Sequence, residues 1–309
     1  MFPYAMLAEA DGRLQFGLEK LDDLVGSIPS KSLTVIGGEP GIGKTALAAA
    51  LALSAAKQGV LVVFFSLDAS AETIASRFAL QEARMKQHVP GGAMTANAQA
   101  RKPSAEQGLR GLNIRIIDDL GISIGEIEDA VIQAQLDDDN FKQNRKRTLV
   151  VVSNLGLCDW ATRREAAGNE VKAPSFRKLL QQRKDGTKAR QNSAVSDALR
   201  DMAHRLDCSV VACCNIPRKV EWWANDKRPT IRDLGEAGVE QAADIAIIVD
   251  RSRSQEEVQK ENRPDWGKAE LIVAKNRWGR TGSAWVSYDD EAKTLDSSLN
   301  DDESRDIKP

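Results

Sequence analysis

The run Gly38-Glu39-Pro40-Gly41-Ile42-Gly43-Lys44-Thr45 constrains this chain more than any other stretch. It fits G-x-x-x-x-G-K-[ST], and its flanks matter as much as its letters. Before it, Ser32-Leu33-Thr34-Val35-Ile36 reads as a short apolar strand ending in two glycines. After it, Thr45 to Lys57 reads as a helix, with Gly59 as its stop. Glycines let backbone N–H groups turn inward around phosphate oxygens, and the helix N-terminus adds partial positive charge. Lys44 is expected to reach the β- and γ-phosphates of a nucleoside triphosphate, ATP or another. Thr45 is expected to ligate Mg²⁺, and Gly38 through Ala46 to form the binding loop. An ordinary glycine-rich turn has no need of the Lys-Thr pair.

The rest of the chain alternates strand and helix, the pattern of an α/β fold with a mostly parallel sheet and helices on both faces. Strands are expected at Val60 to Ser66, Ile114 to Ile117, Thr148 to Val152, Val210 to Cys214, Ile245 to Val249 and Leu271 to Ala274. Ser283 to Tyr288 reads as an edge strand. Helices are expected at Ala71 to Arg84 and Ile124 to Leu136. Another is marked by Val195, Ala198, Leu199, Met202, Ala203 and Leu206 at helical spacing. Lys86 to Gly111 has no clear period and reads as a loop or weakly helical insertion. Residues 159–192 are long, polar and basic, and such a loop inside a compact domain is usually functional or disordered.

Hydrophobic residues make up 42% of 309, enough for a sizeable core. No apolar run approaches the roughly 18 residues that cross a bilayer, and Met1 to Gly12 lacks the basic start of a secretory signal. Cys158, Cys208, Cys213 and Cys214 form no CxxC pair; the last three lie in or beside an apolar strand. Buried free thiols and a cytoplasmic location are expected. The net charge of −2 argues against a uniformly basic coat, but the charge is unevenly spread.

Five stretches together resemble the C-terminal motor domain of DnaB-type replicative helicases, from about Phe16 to Tyr288. They are the 38–45 loop, Phe64-Phe65-Ser66-Leu67-Asp68-Ala69-Ser70-Ala71-Glu72, and Ile116-Ile117-Asp118-Asp119 with Ile122-Ser123-Ile124. The most specific is residues 227–244, Lys227-Arg228-Pro229-Thr230-Ile231-Arg232-Asp233-Leu234-Gly235-Glu236-Ala237-Gly238-Val239-Glu240-Gln241-Ala242-Ala243-Asp244. The last is Ala274-Lys275-Asn276-Arg277-Trp278-Gly279-Arg280-Thr281-Gly282. A RadA-like recombination factor fits residues 227–244 poorly. The resemblance implies a RecA-like P-loop NTPase core and a homo-oligomer, a hexameric ring that threads single-stranded DNA and unwinds duplex. Nucleotide would sit between subunits, with Lys275 and Arg277 reaching the neighbour's site, Arg277 as the arginine finger. Phosphoryl transfer spreads negative charge over the γ-phosphoryl oxygens, and a cation supplied in trans speeds it by about 10³ or more.

The chain departs from the family pattern on its acids. Asp68 stands at the catalytic glutamate, one methylene shorter. Leu149-Val150-Val151-Val152 runs into Ser153-Asn154, where the family's Walker B strand ends in a magnesium-holding aspartate. Asn215 stands at the γ-phosphate-sensing glutamine. Asp118 and Asp250 also end apolar strands, but the resemblance places both elsewhere. The family's N-terminal domain and most of its linker helix have no counterpart in the roughly 15 residues that precede the core. These departures support an alternative: an ATP-binding, hydrolysis-impaired assembly or regulatory protein acting on nucleic acid.

The family's channel loops fall in two basic regions. One is 160–192, with Arg163, Arg164, Arg177, Lys178, Arg183 and Lys184; the other holds Arg218, Lys219, Trp222, Trp223, Lys227 and Arg228. Cations track phosphates and aromatic rings stack on bases, which suits single-stranded DNA, or RNA. The expected organisation is a short arm at 1–15, an ATPase domain at 16–288 with the basic insertion, and an acidic, disordered tail at 289–309. Replication or accessory proteins are the expected partners, and no membrane is.

Overall fold

The computed structural model describes residues 14–85, 107–119, 121–138, 147–158, 188–216, 228–236, 238–251, 267–290 and 293–297. In chain order the elements are α1 (Glu19–Val25), β1 (Ser32–Gly38), α2 (Lys44–Lys57), β2 (Leu61–Phe65), α3 (Ala71–Met85), β3 (Ile114–Ile117), α4 (Ile124–Asp137) and β4 (Thr148–Val152). There follow α5 (Lys188–Arg205), β5 (Ser209–Asn215), α6 (Ile231–Glu236), β6 (Ile245–Asp250), β7 (Lys268–Asn276), β8 (Gly282–Asp289) and β9 (Thr294–Asp296).

Among the described residues the nine strands form one sheet in the order β3-β2-β4-β5-β1-β6-β7-β8-β9. The first six are parallel, and β7, β8 and β9 continue it antiparallel. A parallel sheet needs crossovers, so helices cover both faces and its strands read as continuous apolar runs. β1, β2 and β4 are buried along their whole length. On one face α1, α2 and α3 supply Leu21, Leu47, Leu51, Ile74 and Phe78. On the other, α4, α5 and α6 supply Ile127, Val131, Leu199, Met202 and Leu234. Along α5 the residues at helical spacing divide as expected: Val195, Leu199, Met202 and Ala203 are buried, with Ala198 and, just past the helix, Leu206 partly so. α4 opens on a capping box, in which Ser123 Oγ accepts from the Glu126 amide while the Glu126 carboxylate accepts from the Ser123 amide.

Two boundaries differ from the sequence reading. The acidic tail does not begin as disordered chain at Asp289: Asp289 ends β8, and Thr294–Asp296 forms β9. The edge strand on this side is therefore β9, and β8 is interior. Leu295 is fully buried, and the Gln81 side-chain amide bonds both its carbonyl (2.7 Å) and its N–H (3.1 Å). One buried leucine in three residues is too short a signal for periodicity to register. At the other end Leu14, assigned to the arm, is fully buried and bridges Ile28. Residues 1–13, most of 86–111, and 298–309 lie outside the described residues.

Candidate functional site

The C-terminal ends of β2, β4, β5 and β1 are neighbours in the sheet, and the sequence puts a polar group at each: Asp68, Ser153, Asn215 and the loop from Gly38. Asn215 pairs with Gly38 across β5 and β1, and the Ile216 amide donates to the Gly38 carbonyl. Ligands of open α/β sheets bind at this edge, outside the carboxyl ends of the strands.

The loop is held by residues far from it in sequence. Gly41 and Gly43 have φ of 78° and 118°, the region glycine tolerates. A Cβ on Gly43 would also meet the Tyr288 ring at 2.8 Å. Arg251, just beyond β6, donates from Nε to the Ile42 carbonyl (2.9 Å) and from Nη2 to the Gly41 carbonyl (3.3 Å). Its guanidinium lies 4.1 Å from the Tyr288 ring centroid and pairs with Asp290 at 2.9 Å. In a planar trans peptide the N–H points opposite the C=O, so fixing the Ile42 carbonyl outward aims the Gly43 N–H into the loop. Burial raises the Tyr288 pKa, which Arg251 partly offsets.

Lys44 is buried and folds over the loop, donating to the carbonyls of Gly38 (3.0 Å) and Glu39 (2.8 Å). Thr45 and Ala46 follow in the first turn of α2. This cradle, with positive-φ glycines, an outward-tied backbone, an ammonium at its mouth and a helix N-terminus beneath, fits a chain of phosphates. For a metal ion the donors at hand are the Thr45 hydroxyl and, across the edge, the Asp68 carboxylate. No group of three or more His, Cys, Asp or Glu side chains gathers as a metal site among the described residues.

Ser153 does not leave a gap where a carboxylate was expected. Its Oγ donates to Asp68 Oδ1 (2.9 Å) and accepts from the Leu67 amide (2.9 Å). Ser153 is buried, while Asp68 is exposed at the mouth of the site. The charges of Lys44 and Asp68 both reach Cys213 on β5. Its thiol is pushed up to about 12, first by burial, with Lys44 lowering and Asp68 raising it. The other two acids that end strands do other work or lie elsewhere. Asp118 accepts from the Ala71 amide (2.7 Å) at the start of α3, and Asp250 lies on β6, on the far side of β1 from Ser153.

Lys275 and Arg277 are not brought to this edge. β7 runs antiparallel to β6, so Asn276 pairs with Ile245, at the start of β6. The start of β6 lies beside the start of β1, where the Asp244 amide donates to the Leu33 carbonyl. At the rise of a parallel strand, the span from Leu33 to Gly38 is about 16 Å, longer than an arginine side chain. Lys275 Nζ donates to the Glu240 carbonyl (2.8 Å). Its pKa is lowered, first by burial and then by Arg277 nearby.

Of the cations assigned to nucleic acid, Arg163, Arg164, Arg177, Lys178, Arg183, Lys184, Arg218 and Lys219 lie outside the described residues, as do Trp222, Trp223 and Lys227. Arg228 is described, and it is ion-paired with the buried Glu270 and bonded to Ser283. Sequence reasoning missed Arg251, Tyr288 and Asp290, for nothing in their local pattern marks them.

Fold and site together define a P-loop nucleotide-binding domain with a RecA-like core. A family profile described as "DnaB-like helicase C terminal domain" matches residues 13–297, and the chain belongs to that family. Among curated relatives, the replicative DNA helicase DnaB of Mycoplasma genitalium is 26% identical over 280 residues, 89% of this chain and 54% of the relative. That of Pasteurella multocida is 27% identical over 297 residues, 94% of this chain and 56% of the relative. The chain thus spans about half the length of the relatives it matches. Among solved structures, the "ATPase Domain of G40P" superposes with a TM-score of 0.72 at 23% identity, covering 96% of both chains. A DnaB-like replicative helicase, described with its interactions with primase, gives 0.73 at 23% identity, covering 95% of this chain and 66% of that one. No helix among the described residues is long and apolar enough to cross a membrane.

Proposed function

We propose that this chain is the ATP-dependent motor of a DnaB-like DNA helicase, working as a homo-oligomeric ring, a hexamer, on single-stranded DNA in the cytoplasm during replication of a bacterial or mobile genome. The observation that carries the reading is the separation of the two halves of the site. The phosphate loop lies at the C-terminal end of β1, and Lys275 and Arg277 lie beside its N-terminal end. With Arg277 as the finger, a subunit does not reach its own phosphates, and this supports a site completed by a second copy.

In this reading the N–H groups of the loop and Lys44 hold the β- and γ-phosphates of ATP, and Thr45 holds Mg²⁺. The metal, when bound, neutralises phosphate charge. Asp68 orients the attacking water and takes its proton, with Ser153 fixing the carboxylate. Asn215, beside Gly38, senses the γ-phosphate. Arg277 of the neighbouring copy meets the charge that develops on the transferred group, with Lys275 beside it. The basic segments 160–192 and 217–228 supply the cations for nucleic acid, and replication or accessory proteins are candidate partners. The hydrolysis-impaired reading is less favoured, because Ser153 is bonded into the Asp68 carboxylate rather than leaving it loose.

The test is steady-state ATP hydrolysis with Mg²⁺, with and without single-stranded DNA or RNA, and unwinding of a forked duplex. Turnover that DNA stimulates and Lys44→Ala abolishes is expected. Tight ATP binding with no turnover above the Lys44→Ala control, and no unwinding, would overturn the motor in favour of the assembly protein.

A further inference from the structure

Asp244 stands where β6 begins, only 2% exposed, and grips three elements at once. Its amide donates to the Leu33 carbonyl (2.8 Å), and its carbonyl accepts from the Arg277 amide (3.1 Å). Its Oδ2 accepts from the Leu33 amide (3.0 Å). Its Oδ1 faces two cations: Arg200 of α5 at 3.1 Å and Arg277 at 3.3 Å. A buried carboxylate needs a counter-ion, since stripping its partner leaves an uncompensated charge in a poor solvent. One guanidinium meets that need. The second is what calls for a reason.

The two cations differ in their attachment. Arg200 sits inside an 18-residue helix packed on the sheet, more than a turn from its end. Arg277 lies just past the end of β7, is the more exposed of the two, and adjoins the exposed Trp278. Arg277 is therefore the cation able to leave, and Arg200 the one that stays.

We propose that Asp244 is a dock that holds the Arg277 finger within its own subunit, and that Arg200 is the standing counter-ion that lets the finger leave for the neighbour's phosphates without stranding a buried charge. Asp244 and Arg200 are positioning residues. They act on the reaction only through Arg277, so the proposal rests on the finger reading above. The ion pair that forms in trans replaces one broken in cis, which ties finger engagement to the presence of a neighbour's nucleotide. With Arg200 neutral, the same departure leaves the Asp244 carboxylate with the Leu33 amide and only the longer-range charge of Lys275, and the finger stays docked.

The experiment compares R200Q, R200K, R200Q/D244N and R277A in the full chain, each checked by its melting temperature. Turnover is measured at saturating ATP, and oligomer formation is followed by sedimentation velocity with Mg²⁺ and a non-hydrolysable ATP analogue. R277A is expected to lose about a thousandfold or more in kcat, which establishes the finger. R200Q is expected to lose about tenfold in kcat with KM within about twofold, and to need a higher protein concentration to assemble with the analogue. R200K is expected to restore both. R200Q/D244N is expected to turn over faster than R200Q alone, because the dock is gone; a merely structural role would make the double variant worse. Wild-type kcat and assembly in R200Q would overturn the proposal while R277A stays impaired. So would a double variant no faster than R200Q; should that variant not fold, R200Q against R200K decides alone. Unchanged turnover in R277A would sink the finger reading and the dock with it.

Discussion

Ser153 Oγ donates to Asp68 Oδ1 at 2.9 Å while accepting from the Leu67 amide at the same distance, so one buried hydroxyl fixes both the carboxylate and the chain that carries it. A hydrogen bond to a charged group contributes about 1.5–3 kcal/mol. Ser153→Ala is therefore expected to lower kcat by about tenfold or more, with nucleotide affinity kept, because the phosphate loop is untouched. Stopped-flow turnover beside equilibrium nucleotide binding separates the two. Ser153→Asp sets a second carboxylate against Asp68, and like charges at that spacing repel. Its melting temperature should fall without Mg²⁺ and recover with it. Recovery by sodium chloride alone would count against a metal at this pair.

The Arg251 fork ties down the carbonyls of Gly41 and Ile42. Arg251→Gln should weaken nucleotide binding by about tenfold, read by titration calorimetry, since the loop then loses two charge-assisted hydrogen bonds and the Tyr288 contact. Arg251→Lys should recover little, because an ammonium cannot reproduce the planar fork. Unchanged affinity in both variants would mean that the loop keeps its shape without the arginine.

Leu295 anchors β9 in the core although its neighbours in sequence are acidic and polar. Leu295→Ala is expected to destabilise by about 2–4 kcal/mol, the range for a buried leucine truncated to alanine. Truncation after Ser297 should leave the denaturation midpoint unchanged, whereas truncation before Thr294 should lower it. Equal midpoints for the two truncations would show that β9 adds nothing to stability. A gain in DNA affinity on truncation after Ser297 would mean that the acidic end competes with DNA for the basic segments.

All four cysteines are free and buried. Burial pushes the thiols of Cys158, Cys208 and Cys213 up to about 12 and that of Cys214 to about 11. The thiolate is the reactive species and a raised pKa keeps it scarce. The native protein should resist alkylation at pH 8 to 9 and show all four thiols only in denaturant. Rapid native labelling of Cys213 would show that the β5 end opens, and bound nucleotide should then slow it.

The P-loop and the strand–helix alternation were legible because each depends on a few residues in a row. A glycine turn between an apolar strand and a helix announces itself locally. So do buried parallel strands, which carry continuous apolar runs. The placement of Asp68, Ser153 and Asn215 at one edge followed once each was seen to end or follow such a strand.

Only the tertiary structure decided which side chains meet across the sheet. Ser153 and Asp68 are 85 positions apart, and Arg251 lies 209 positions from the Ile42 carbonyl it holds. Asp244 gathers Leu33, Arg200 and Arg277 from three separate elements. Such bonds leave no period in the sequence, because the spacing between partners is set by strand order and not by helix or strand geometry. Likewise β9 is three residues, with Thr294 and Leu295 buried, and its existence depends on Gln81 and β8 already being in place. The sequence determined that this chain would build a phosphate cradle at the end of a parallel sheet. The fold decided that Arg277 stands at the opposite end, because β7 runs back against β6 and carries it away from its own subunit's cradle.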